Sequence, residues 1–364
     1  MVSQDAVRSL PMAERRLQRM VVGCYTEGID NPRNLNSVCH VELDTDSGAL
    51  AVLGGSCDVE NASYLCVGPR RDLVYAVQET TSTPSVHALQ VSAKGDIHHL
   101  GAQPVPDTWP CHLSFDPTGR RLAVATYGTG TVALYPIDAG GAIGAMTSAA
   151  THQGCSIHPT RQDRPHAHAV VFASGGSEVL VPDLGIDEVK RYQVLDGGRI
   201  EPLASICLEP GSGPRHLVLD ENGQVAYVLN ELSSTIAVVV REGDQWSVIR
   251  YVPCAPEMDP QRSLAAAIRL APSGRFLYAS NRGFDTIAVF RVNRTAHDLH
   301  FVAWTPAGGA TPRDFALDPS GRLMVVANQG SNEIVTFWVD PLTGRLTSTG
   351  HSLGVARPAC VLML

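Results

Sequence analysis

Short apolar runs rich in Val, Ile, Leu and aromatic residues recur along the whole chain, each bounded by Gly, Pro or Asp. A turn signal punctuates them: Asp116-Pro-Thr-Gly119, Asp220-Glu-Asn-Gly223, Ala271-Pro-Ser-Gly274 and Asp318-Pro-Ser-Gly321, with weaker copies at Gly68-Pro-Arg-Arg71 and Ala173-Ser-Gly-Gly176. From Gly119 through Gly176, Gly223, Gly274 and Gly321, successive copies lie 47 to 57 residues apart. Before each turn stands a run such as His112-Leu-Ser-Phe115 or His216-Leu-Val-Leu219. After it comes another, as in Val225-Ala-Tyr-Val-Leu229 or Leu323-Met-Val-Val-Ala327. A third follows, as in Thr286-Ile-Ala-Val-Phe290, and then a more variable fourth. Strand, turn, strand, loop, strand, turn, strand is one antiparallel four-stranded unit.

Such a sheet cannot bury both faces alone, so copies must stack and the ring must close. Inner strands are expected to start near Asn61, Pro110, Pro165, Pro214, Ala265 and Pro312, with a seventh at Pro358–Leu364. That last run has no second strand after it. The N-terminus begins with what reads as a second strand, Val21–Tyr25, then a third and a fourth. The expected fold is therefore an all-β, seven-bladed β-propeller over residues 20–364, closed by the C-terminal strand joining the N-terminal blade, with 1–19 as an arm outside it. A pair of β-sandwiches does not need six in-register copies of one unit.

Composition narrows the partners. The chain has 364 residues, 44% of them apolar and 18% charged, so a large core is within reach. The formal net charge is −8 with no basic stripe, which argues against nucleic acid. No apolar run reaches the ~18 residues of a membrane-spanning helix. Nine widely spaced cysteines without a C-x-x-C pair, and an N-terminal stretch lacking a signal-peptide apolar region, point to free thiols in the cytoplasm and to no zinc site.

Chemistry in a propeller belongs to residues that break the structural repeat. One aligned position, at the start of each inner strand, reads Ser63, Cys111, His168, Arg215, Ala266, Arg313 and Ala359. A second, the pair ending the second strand, reads Gln78-Glu79, Thr126-Tyr127, Asp183-Leu184, Asn230-Glu231, Asn281-Arg282 and Asn328-Gln329. The recurring Asn suits a local turn. The variety of its neighbour, Glu79, Glu231, Arg282, suits function. His166 and His168 share a strand face, yet no third metal ligand accompanies them. Proton transfer or hydrogen bonding is the better role for His168. His98-His99 reads as outer-rim surface. Arg269 falls out of phase with Arg215 and is expected in an ion pair or at the cavity.

Pro165-His-Ala-His168, Gly213-Pro-Arg-His216 with Val228-Leu-Asn-Glu-Leu232, Tyr278-Ala-Ser-Asn-Arg-Gly283 and Pro312-Arg-Asp-Phe315 with Val326-Ala-Asn-Gln329 resemble the seven-bladed lactonase family of propeller-type 6-phosphogluconolactonases and carboxymuconate-cyclizing enzymes. The resemblance implies a site of His168, Arg215, Glu231 and Arg282. One departure is visible: many members carry Glu just ahead of Ile-Arg, where this chain has Ala267. The implied activity is hydrolysis of a sugar lactone such as 6-phosphogluconolactone. Glu231 or His168 would take a proton from water, and Arg215 and Arg282 would stabilise the oxyanion. Arg313, Arg269, His166 and Glu79 are the candidate substrate-binding residues, for an anionic sugar lactone. The scheme requires no metal or organic cofactor, and the ring is expected as monomer or homodimer. The alternatives are a lactone-forming cycloisomerase and a non-catalytic binding propeller.

Overall fold

The Asp-Pro-x-Gly signals are tight turns between first and second strands. One carboxylate oxygen of Asp116 accepts the amides of Arg120 and Arg121, and Asp318 does the same for Arg322 and Leu323. Gly119 closes its turn at φ 68°, a region that side chains disfavour. In Ala271-Pro-Ser-Gly274 the acid is absent, and the turn keeps the backbone bond from Gly274 N to Ala271 O at 2.7 Å while the Ser273 hydroxyl accepts the Arg275 amide at 3.3 Å.

The computed structural model describes residues 16–27, 36–173, 175–256 and 263–364. Among these, 28 strands form seven four-stranded antiparallel sheets. Sheet packs on sheet through seven apolar clusters, each drawn from two neighbouring blades. Phe276 and Tyr278 of one blade meet Phe315 and Phe337 of the next. Val21 and Cys360 meet Leu65 and Val74. Burying one such large side chain is worth about 1.5–3 kcal/mol, so every blade depends on both neighbours.

The ring closes as expected. Strand Pro358–Met363 pairs antiparallel with Leu17–Cys24, with Met20 opposite Met363 and Val22 opposite Val361. Leu17 already pairs with Asp44, so the first strand starts three residues ahead of the boundary placed at residue 20. The rest of the proposed arm, 1–15, lies outside the described residues. Two inner strands are shorter than the pattern implied. Leu65–Val67 and Val171–Phe172 replace runs beginning near Asn61 and Pro165. In the second case the His166 amide turns to the Asp183 side chain at 2.7 Å, and a lone bridge, Ala167 to Asp183, is what remains of the ladder there.

Most inner strands carry the same irregularity. The register slips by one residue between Pro110 and His112, Pro214 and His216, Ala265 and Ile268, Pro312 and Asp314, and Pro358 and Cys360. This is a β-bulge repeated around the ring, and bulges re-aim the extra side chain. Among the described residues no helix is long and apolar enough to cross a membrane.

Candidate active site

The bulge explains why the first aligned position matters. Cys111, Arg215, Ala266, Arg313 and Ala359 are the extra residues, or lie within the slip. Two residues ahead of four of these aligned positions the backbone turns left-handed: Trp109 at φ 52°, Gly213 at 64°, Thr311 at 58° and Arg357 at 43°. The carbonyls of these residues receive the amides of Tyr127, Glu231, Gln329 and Tyr25 respectively. Those are the second aligned position. Each such blade therefore delivers two adjacent side chains to the end of the ring where the inner strands begin.

Glu231 is the hub. Its Oε1 meets Arg161 Nη2 at 2.5 Å, and its Oε2 meets Arg282 Nη2 and Arg215 Nε at 2.9 Å each. The Arg215 contact is an ion pair whose N–H points off the hydrogen-bond line. Arg215 also donates to the Ala266 carbonyl, and Arg282 to the carbonyls of Leu264 and Ala265 at 3.2 Å each. Bulge backbone thus braces two of the three guanidiniums. Burial opposes ionisation of Glu231, but Arg282, Arg215 and Arg161 outweigh it and hold the carboxyl well below the usual range. Arg215 is lowered to about 10 by burial first and by Arg282 second, and stays cationic near neutrality.

His168 stands beside this hub, its Nε2 4.0 Å from Glu231 Oε2. That gap exceeds a hydrogen bond and suits a shared water. Burial, reinforced by the Arg215 charge, pushes the imidazole well below its ordinary value, so it is neutral. On the other flank Arg313 Nη2 donates to Tyr25 Oη at 2.5 Å, and Tyr25 donates to Glu79 Oε2 at 2.8 Å. The Arg313 guanidinium lies over the Tyr25 ring, 4.9 Å from its centre.

His168, Arg215, Glu231, Arg282, Arg313 and Glu79 are thus brought to one mouth of the channel. His166 lies at its edge, stacked on Tyr127 at 4.2 Å with Nδ1 2.6 Å from the Tyr127 carbonyl. Arg269 does not join them. It sits past the packed rings of Tyr64, His112 and His216 and pairs with Asp314 at 2.8 Å. There it lines a separate cavity of about 460 Å³ toward the ends of the inner strands. Its place two residues beyond the blade's bulge carries it down the channel. Ala267 packs among Tyr278, Ile287 and Phe315 in the blade interface. The recurring Asn is structural: Asn281 and Asn328 donate to the carbonyls of Cys254 and Ala307. Among the described residues no three His, Cys, Asp or Glu side chains are grouped to hold a metal ion.

Sequence reasoning missed two residues. Tyr25 is the seventh member of the second aligned position, hidden because its blade is split between the chain ends. Arg161 belongs to a loop outside the repeat, and no periodic signal marks it.

The family model for lactonases with a 7-bladed β-propeller matches residues 19–363. A 6-phosphogluconolactonase of Bacillus subtilis is 32% identical over 346 residues, covering 94% of this chain and 97% of the relative. One of Formosa agariphila is 32% identical, covering 92% and 96%. The solved structure of the periplasmic gluconolactonase of Pseudomonas aeruginosa superposes with a TM-score of 0.88 at 29% identity, covering 96% and 99%. A full ring, its bulge-borne arginines and a match from end to end agree that the chain belongs to the seven-bladed β-propeller lactonase family.

Proposed function

We propose that the protein hydrolyses a sugar lactone bearing an anionic group, 6-phosphogluconolactone or a close relative. The observation that carries this is the cluster of Arg161, Arg215 and Arg282 on one buried carboxylate, Glu231, with a neutral imidazole 4.0 Å away. Relatives named as 6-phosphogluconolactonases support the substrate class.

In this reading the water shared by His168 and Glu231 attacks the lactone carbonyl. His168 takes its proton, since Glu231 is engaged by Arg215 and Arg282 and is a poor base. The Glu231 charge then stabilises the imidazolium, and the proton passes to the departing ring oxygen. Arg215 and Arg282, already braced by backbone, face the developing oxyanion without reorganising. A lactone-forming cycloisomerase needs a proton donor on the double bond, and a neutral His168 beside an ionised Glu231 favours hydrolysis instead. All nine cysteines are free thiols, which supports a cytoplasmic setting.

The test is lactone opening by purified protein against the spontaneous rate. Arg282→Ala should lower kcat/KM tenfold or more. No rate above background in the wild type sinks the lactonase reading. Full activity in the variant removes Arg282 from the site.

A further inference from the structure

The four arginines of the mouth are held differently. Arg215 and Arg282 are tied to bulge carbonyls, and Arg313 is stacked on Tyr25. Arg161 comes from the loop between the third and fourth blades, and among the described residues its side chain bonds only side chains, Glu231 Oε1 and, at 3.4 Å, the Tyr127 hydroxyl. Its side chain is 32% exposed, against 4% for Arg215 and 15% for Arg282.

The loop backbone beneath it is pinned. Gln162 Nε2 donates to the Leu184 carbonyl at 2.9 Å, Ser156 N to the Gln162 carbonyl at 2.9 Å, and His158 Nδ1 accepts the Arg161 amide at 3.2 Å. A fixed Cα with a long side chain about one-third exposed can exchange partners by rotamer changes alone. Glu231 would keep two cations on Oε2 if Arg161 left. Among the described residues, the groups bonded at the mouth are Arg161, Arg215 and Arg282 on Glu231 and, through Tyr25, Arg313 on Glu79, a surplus of two positive charges. That surplus matches a phosphate monoester dianion.

We propose that Arg161 is a specificity-determining residue: when substrate enters, it leaves Glu231 Oε1 and grips a phosphate monoester on the lactone at the outer edge of the mouth. The identity of the ring rests on the lactonase reading, whereas the phosphate preference rests on the geometry and charge of the cluster.

Wild type, Arg161→Ala and Arg161→Lys are compared on 6-phosphogluconolactone and on unphosphorylated glucono-δ-lactone. In Arg161→Ala the KM for the phosphorylated lactone should rise roughly 30- to 100-fold, as loss of a charge-assisted contact does. The loss should fall mainly on KM, and the loss in kcat/KM should be at least about tenfold larger for the phosphorylated lactone than for the unphosphorylated one. Lysine should restore part of the loss, since it keeps the charge without the fork. Equal losses on both lactones, or none on either, overturn the proposal. Calorimetric binding of 6-phosphogluconate and gluconate is measured on the same proteins. A wild type that opens neither lactone defeats the lactonase reading alone. The Arg161 proposal then stands if the alanine variant loses a preference for the phosphorylated acid, and falls if the two proteins bind it equally.

Discussion

Tyr25 and Arg313 are 288 residues apart in sequence, yet the Arg313 guanidinium donates to the Tyr25 hydroxyl at 2.5 Å. Tyr25 directly follows the strand that the C-terminus completes, so closure of the ring and assembly of the mouth are one event. The hydroxyl serves two charged partners at once, accepting from Arg313 and donating to Glu79.

Tyr25→Phe removes that bridge and keeps the ring beneath Arg313. Hydrogen bonds to charged groups are worth about 1.5–3 kcal/mol. We expect kcat/KM for the phosphorylated lactone to fall about tenfold while far-ultraviolet circular dichroism is unchanged. Steady-state kinetics and a thermal melt read both.

Glu231→Gln leaves three guanidiniums facing a neutral amide. Breaking a buried ion pair by removing one partner costs about 3–5 kcal/mol. Activity should fall tenfold or more and Tm by several degrees. A variant that melts like the wild type would mean that the cluster contributes little to holding the ring.

Acid should act through the buried imidazoles. His112, His168 and His216 are all pushed well below their ordinary value, by burial first and then by Arg269 or Arg215. Above about pH 6.5 both folded and unfolded histidines are neutral and nothing changes. Below it the unfolded chain takes up protons that the folded ring refuses, so stability falls at about 1.4 kcal/mol per pH unit for each imidazole. Melts from pH 8 to 5 should therefore decline only on the acid side, and His216→Gln should flatten the slope. Because His168 stays neutral, the acid limb of kcat/KM should lie below the pKa of an ordinary histidine. A limb near 6.5 would mean that the titrating group is an imidazole not depressed by burial and Arg215.

Removing residues 358–364 takes away the first strand of a split sheet. Cys360 and Val361 are buried, and Val361 N also bonds Asp314. The truncated chain should lose its cooperative melt, unlike a protein trimmed of a free tail. Circular dichroism melts and size-exclusion chromatography decide this.

The blade repeat was legible because a turn such as Asp116-Pro-Thr-Gly119 and the runs on either side are local events, set by residues a few positions apart. The same alignment exposed Arg215, Glu231, Arg282 and Arg313, since a residue that departs from a repeat stands out against its copies. Arg269, out of phase with Arg215 in that alignment, pairs with Asp314 and lines the far cavity, so it is not among the residues at the mouth.

From its residues alone this chain was committed to seven stacked sheets closed by its own ends, because each amphipathic unit can hide its faces only against another of its kind. The tertiary structure alone decided which charges meet. Arg161 lies outside the repeat, Tyr25 sits in the divided blade, and both reach the mouth through distances that depend on how the ring closes. Far-apart guanidiniums gather on one carboxylate because ring closure brings equivalent ends of different blades to one mouth of the channel.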